Sequence, residues 1–172
     1  MALSKIDAAN FLTGTIPDTN INNASLDNVT GLPAGVGGKV LQVSNMSIVS
    51  TEQTLATDTY TDLTGLSINI TPSSTSNKIF LYTNVNCFFN ATLGFGIRFL
   101  RGSTNVFTTT TSYAEYPNVN SHRTMSSFAY LDSPSTTSQI TYKVQASSFA
   151  SSSIEFNNSA QSIFYLMEIA GW

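Results

Sequence analysis

The sequence predicts an all-β protein: a short N-terminal five-residue-repeat segment, followed by an antiparallel jelly-roll sandwich of eight to ten strands that other copies must cover. Three observations carry this. Ser, Thr and Asn fill 63 of 172 positions while charged residues fill only 10%. Such side chains compete with helical backbone hydrogen bonds but suit strands and turns. From Lys39 onward, short alternating apolar runs are separated by turn signals at the spacing of a sandwich. Two of those runs are apolar on both faces, so another layer must lie outside them.

Residues 1–38 stand apart. Ile6, Phe11, Ile16, Ile21 and Leu26 recur every five residues, each preceded two positions earlier by a small residue (Ser4, Ala9, Gly14, Thr19, Ala24). A period of five fits neither an α-helix nor a flat strand, so the segment reads as a coiled repeat with one apolar knob per unit. Five units cannot enclose their own knobs, and the simplest cover is another copy of the chain. A flexible tail is the alternative reading of the same composition. Gly31-Leu-Pro-Ala-Gly-Val-Gly-Gly38 punctuates the chain and places the domain boundary there, leaving residues 39–172 as the knob.

Within the knob, Val40 to Val49 is apolar with irregular alternation, and Leu66, Ile68 and Ile70 alternate up to Pro72. Lys78 to Phe89 is the longest expected strand, with Ile79, Leu81, Val85 and Cys87 on one face and Phe80, Tyr82 and Phe88 on the other. Phe95 to Leu100, the turn Arg101-Gly-Ser-Thr104 and the return from Asn105 to Thr111 form a hairpin. Ser126 to Leu131 stops at Asp132-Ser-Pro134, Ile140, Tyr142, Val144 and Ala146 alternate, and Ile154 with Phe156 forms a short edge. Ser162 to Ala170 closes the fold, with Ile163, Tyr165, Met167 and Ile169 opposite Phe164 and Leu166. The two double-sided strands are expected at the centre of one inner sheet.

Several function classes are disfavoured. A net charge of −3, with four lysines and three arginines scattered singly, supplies no stripe for phosphates, so nucleic acid is not an expected partner. No stretch approaches the roughly 20 apolar residues that span a bilayer, and Met1 to Leu12 has no leader pattern, so folding in a cytoplasm is expected. Cys87 sits in an apolar run and reads as a buried, inert thiol. His122 is the sole histidine, so neither a catalytic triad on Ser121 or Cys87 nor a metal site is expected. Asp58 and Asp62 could assist Ca²⁺ but read better as a solvated turn. No cofactor and no enzymatic activity are expected.

Leu12-Thr-Gly-Thr-Ile-Pro-Asp18 and the segment from Val29 to Val43 resemble repeat-and-linker pieces of tail-fibre and related virion proteins of marine bacteriophages. The runs Asp62 to Pro72, Ser74 to Leu81 and Ile163 to Gly171 are similar to the trimeric jelly-roll knobs of phage fibres, and through them to the complement globular-head and tumour-necrosis-factor fold. The resemblance implies a homotrimeric virion protein, assembled in the host cytoplasm, whose C-terminal strand lies near a threefold axis. Tyr82, Phe164 and Tyr165 are then expected to be buried between subunits or sheets, and Ile6, Phe11, Ile16, Ile21 and Leu26 to hold a shared shaft core or a docking partner on the tail or capsid.

The stretch from Thr108 to Thr124 lacks strand periodicity and concentrates Tyr113, Tyr116, Pro117, Asn118, Asn120, His122 and Arg123. Tyr and Arg combine apolar area with directed hydrogen bonds, and loops on rigid scaffolds are where recognition resides. Tyr113, Tyr116, Asn118, Asn120, His122 and Arg123 are therefore the expected receptor-binding residues, with a host-surface glycan as first ligand and a host protein as second. The competing readings are an ordinary solvated loop or a contact to a neighbouring subunit. Three functions remain: a receptor-binding fibre tip, a capsid decoration or head-fibre protein, and a secreted signalling ligand, the last disfavoured by the missing leader.

Overall fold

The computed structural model describes residues 39–56, 58–109, 114–117, 121–149 and 153–171. The five-residue repeat with Ile6, Phe11, Ile16, Ile21 and Leu26 lies outside them, as do Tyr113, Asn118 and Asn120.

Eleven strands and no helix are found among the described residues: β1 Val40–Val43, β2 Ser47–Val49, β3 Gln53–Leu55, β4 Thr61–Ile70, β5 Lys78–Phe89, β6 Phe95–Arg101, β7 Thr104–Thr108, β8 His122–Asp132, β9 Ile140–Ser148, β10 Ile154–Phe156 and β11 Ser162–Ile169. They form two antiparallel sheets stacked as a β-sandwich. One has seven strands, the other runs β4-β9-β6-β7. In the seven-stranded sheet β5 pairs along its whole length with β8, and on its other side first with β11 and then with β10. The far edge is stepped, with β1 and β2 on β11 and β3 on β10. The surplus over the expected eight to ten strands comes from these steps, because β1, β2 and β3 occupy one row and β10 and β11 another. The resulting order is jelly-roll-like.

Ile154 and Phe156 are not at an edge, as their brevity implies, but sit between β3 and β5. The row is interrupted at Asn157 and Ser159, whose φ of 61° and 56° turn the chain into the left-handed region before β11 resumes. Both double-sided strands, β5 and β11, are interior and adjacent, with Tyr82 opposite Tyr165.

Between the sheets the core is aliphatic and aromatic. Phe99 of the four-stranded sheet stacks on Phe164 of the other at 6.0 Å and 17°, and Phe95 meets Phe156 edge-on at 5.7 Å. Phe164 is fully buried, whereas Tyr82 and Tyr165 lie on the outer face of the seven-stranded sheet, so the structure separates these three aromatics. Burying each large apolar side chain contributes roughly 2–3 kcal/mol, which makes this inter-sheet layer the main source of stability. Cys87 belongs to it, and burial, aided by the charge of Glu115, pushes its thiol far up from the ordinary range.

The hairpin of β6 and β7 turns at Gly102, whose φ of 60° falls where glycine is least strained. At the same end, the Asp132 carboxylate accepts hydrogen bonds from the Tyr142 hydroxyl at 2.6 Å and Arg101 Nη1 at 2.9 Å, tying β8 to β9 and β6. Burial and the Asp132 charge push the Tyr142 phenol strongly upward, so it stays a donor.

Candidate functional site

The two outer faces of the sandwich have opposite character. Residues paired across antiparallel strands share a face. On the seven-stranded sheet the outward pairs are Tyr82–Tyr165, Phe80–Met167, Phe80–Leu131, Val43–Met167 and Ile48–Ile163. Met125 is 62% exposed, Val43 59% and Ile48 53%, so much of this apolar face is open to solvent in one chain. Exposed large apolar side chains gathered on one face favour association.

On the four-stranded sheet the outward rows are polar. Asp62 pairs with Gln145, Gln145 with Arg98 and Arg98 with Thr108; beside them Ser67 pairs with Lys143 and Asn69 with Thr141. Lys143 Nζ donates to Asp62 Oδ2 at 2.9 Å, Gln145 Nε2 to Asp62 Oδ1 at 2.5 Å, and Arg98 Nε to Gln145 Oε1 at 2.6 Å. The Arg98 guanidinium lies 4.5 Å over the Tyr60 ring. Hydrogen bonds from Lys143 and Gln145, opposed by partial burial and aided by the Lys143 and Arg98 charges, hold the Asp62 carboxyl below its usual range. Asp62 is thus a strand residue committed to Lys143, not a turn carboxylate. Among the described residues no three His, Cys, Asp or Glu side chains converge as metal ligands.

The expected receptor loop is divided. Ala114 and Glu115 lie on the β6 edge: Ala114 N donates to Phe95 O, and Phe95 N to Glu115 O. Tyr116 is 44% exposed and packs edge-on against Phe149 at 5.9 Å. Gly94 permits this path, since a Cβ there would lie 2.6 Å from the Glu115 carbonyl oxygen. His122 and Arg123 are the first residues of β8, not a turn, and alternation sends them to opposite sides. His122 lies beside Phe89, with Nε2 3.6 Å from Glu115 Oε1, and Glu115 also accepts from Ser126 Oγ. Arg123 covers the Phe88 ring at 4.5 Å and donates to Asn158 O at 2.6 Å. Tyr116 and His122 therefore share the Glu115 neighbourhood, while Arg123 belongs to the outer face of the seven-stranded sheet.

Sequence reasoning missed the Asp62–Gln145–Arg98 row. Its signal was present in Tyr142-Lys-Val-Gln-Ala146, where Lys143 and Gln145 fill the outward positions of an alternating strand. It also missed Glu168, a fully buried carboxylate in β11. Glu168 Oε1 accepts from Ser73 N, Ser73 Oγ and Asn77 Nδ2 at 2.6 to 2.8 Å, and Oε2 accepts from Gln42 Nε2 at 2.5 Å.

No protein-family model and no curated protein sequence matches this chain. Among solved structures it is similar to the Stig cyclase Fisc of Fischerella sp. TAU, at 15% identity and a TM-score of 0.31 over 72% of this chain and 58% of that one. It is also similar to a structure of the infectious bursal disease virus Gx strain, at 12% identity and a TM-score of 0.33 over 74% of this chain and 37% of that one. The chain thus spans just over half and just over a third of the length of these two neighbours.

Proposed function

We propose that this chain is a non-enzymatic structural protein of a bacteriophage particle, a short homotrimeric fibre tip that presents a jelly-roll knob to the host surface. One observation carries the reading: the sandwich is apolar on one outer face and polar on the other. An open face bearing Val43, Ile48, Tyr82, Met125 and Tyr165 requires a cover, and three copies turning it toward a common axis would cover it with identical surfaces. Obligate interfaces of this type resemble a domain core cut in half. The polar sheet and the Tyr116 segment would then face outward, where recognition requires them, while residues 1–38 attach the trimer to the virion. Trimerisation repeats each recognition site three times, so individually weak sites would act together.

The test is sedimentation equilibrium of the full chain together with localisation of the trimer in a virion density map. Three copies at micromolar concentration and density at the tail tip are expected. A folded monomer overturns the reading; density on the capsid shell replaces the fibre-tip role by decoration.

A further inference from the structure

Where β4 runs beside β9, the pairing slips: Asp62 faces Gln145, yet the next pair is Ser67 with Lys143. Four residues of β4, Leu63 to Leu66, therefore oppose the single residue Val144. The expelled segment arches over a concavity of about 300 Å³ lined by Asp62, Leu63, Thr64, Gly65, Leu66, Ser67 and Lys143. This is near the lower end of small-molecule sites.

The arch is built, not slack. Gln53 Nε2 donates to Asp62 O at 2.9 Å, Gln53 Oε1 accepts from Thr64 N at 2.8 Å, and Ser47 Oγ donates to Gly65 O. Gly65 has φ of 87°, reachable without strain only by glycine, and its Cα lies so close to Val49 that a Cβ would stand 2.7 Å from Cγ2. Two other strands thus fix the shape of the concavity before anything binds, and preorganisation of this kind favours affinity.

We infer that this concavity, lined by Asp62 and Lys143 with Gln145 holding Asp62 from behind, is a saccharide-binding site for one hexose-sized ring. A sugar ring presents C–H faces and an edge of hydroxyls that both donate and accept. Leu63 and Leu66 are buried beneath the floor, so the lining offers the Thr64 methyl, the Gly65 Cα and the methylene stem of Lys143 together with the Thr64 and Ser67 hydroxyls. At the rim each Asp62 oxygen has accepted one hydrogen bond and retains a second lone pair, while Lys143 has used one of three donors. Adjacent hydroxyls can therefore donate to the carboxylate and accept from the ammonium at once, in the charge-assisted bonds that are strongest. The carboxylate is already neutralised by Lys143, so a hydrated cation is disfavoured.

The site lies on the polar sheet, opposite the apolar face. It deepens the host-surface reading and rests on that reading only for the number of copies presented together. The experiment is a titration of the isotope-labelled full chain with D-glucose, D-galactose, N-acetyl-D-glucosamine and D-glucuronate, followed by backbone amide shifts. Saturable shifts at residues 62–67 and 143–145 with at least one sugar are expected. Lys143→Met and Asp62→Ala should each weaken that binding about tenfold while the melting temperature stays close to that of the parent, because both groups are solvent-facing. Absence of shifts at 62–67 and 143–145, or binding by both variants as tight as that of the parent, overturns the inference. Shifts confined to 114–117 and 121–123 overturn it while leaving the fibre-tip reading intact, and a monomer in the same sample defeats that reading whatever the sugars do.

Discussion

Tyr82 and Tyr165 face each other across the central pair β5 and β11, their ring centroids 5.1 Å apart and tilted by 32°. Tyr82 Oη donates to Ser127 Oγ at 3.1 Å, and Asn84 Nδ2 donates to the same oxygen at 3.0 Å, so the pair is fixed to β8 as well. A tilted, hydrogen-bonded aromatic pair in the middle of an open apolar face is rigid contact area available at small entropic cost.

Neighbouring residues of β11 should therefore fail in different ways. In the proposed trimer, Tyr165→Lys would place a charge in the interface, and sedimentation should show a folded monomer with the far-ultraviolet spectrum of the parent. Phe164→Ala empties the inter-sheet stack on Phe99 and should destabilise each subunit by roughly 3–5 kcal/mol, read as an early denaturation midpoint. If Tyr165→Lys remains trimeric, the face is not the interface.

Glu168 should make the sandwich acid-sensitive. Burial alone would raise its carboxyl, but hydrogen bonds from Asn77, Gln42 and Ser73 outweigh burial and hold it below its ordinary 4.5. A lowered folded value means the stabilisation is complete above the unfolded value and is lost as pH falls through the folded one. Thermal melting of the parent should hold from neutral pH down to about 5 and decline below it. Glu168→Gln should start lower by roughly 1–3 kcal/mol, since one oxygen that accepts becomes a donor facing donors, and should lose less on acidification. Parallel acid profiles for the two proteins would show that Glu168 is not the responsible group.

The Asp132 cluster yields a ranking. Tyr142→Phe removes one donor from a buried carboxylate that keeps Arg101, and should cost about 1–2 kcal/mol in urea unfolding. Arg101→Met removes the countercharge and should cost more, about 2–3 kcal/mol after allowance for the partly exposed guanidinium. The reverse order would mean that the phenol, not the ion pair, holds β6 and β9 to β8.

Much of this architecture was legible because alternation survives in a single sequence. The inward and outward sets of β5 and β11 are the ones their spacing implies, and Cys87 is buried as its apolar run requires. What escaped depends on register. The start of β8 is hidden because its inward positions are filled by His122, Thr124 and Ser126, and the groups that His122 and Ser126 meet, Phe89 on β5 and Glu115 outside the strands, are set by the fold. Glu168 reads as an anomaly until Gln42, Ser73 and Asn77, each more than 90 residues away, are brought around it. The arch in β4 was half visible: Leu66, Ile68 and Ile70 alternate, while Leu63 precedes Leu66 by three with Gly65 between, the mark of a strand that has lost its period.

Gly65 tests that arch directly. Two penalties act on Gly65→Ala: the left-handed backbone, worth about 1–2 kcal/mol for a residue with a Cβ, and the overlap of the new methyl with Val49. They separate in a double-mutant cycle. Gly102→Ala also places a side chain at positive φ, but nothing lies within 4 Å, so it should show the backbone penalty alone. Gly65→Ala should therefore destabilise more than Gly102→Ala, and adding Val49→Ala should recover only the steric excess. Both residues are in direct contact, so a non-additive coupling of about 0.5–2 kcal/mol is the expected reading from chemical denaturation. Strict additivity would mean that β4 relaxes away from Val49 when Gly65 is replaced, and the concavity beneath Leu63 to Leu66 would then be a deformable surface rather than a fixed one.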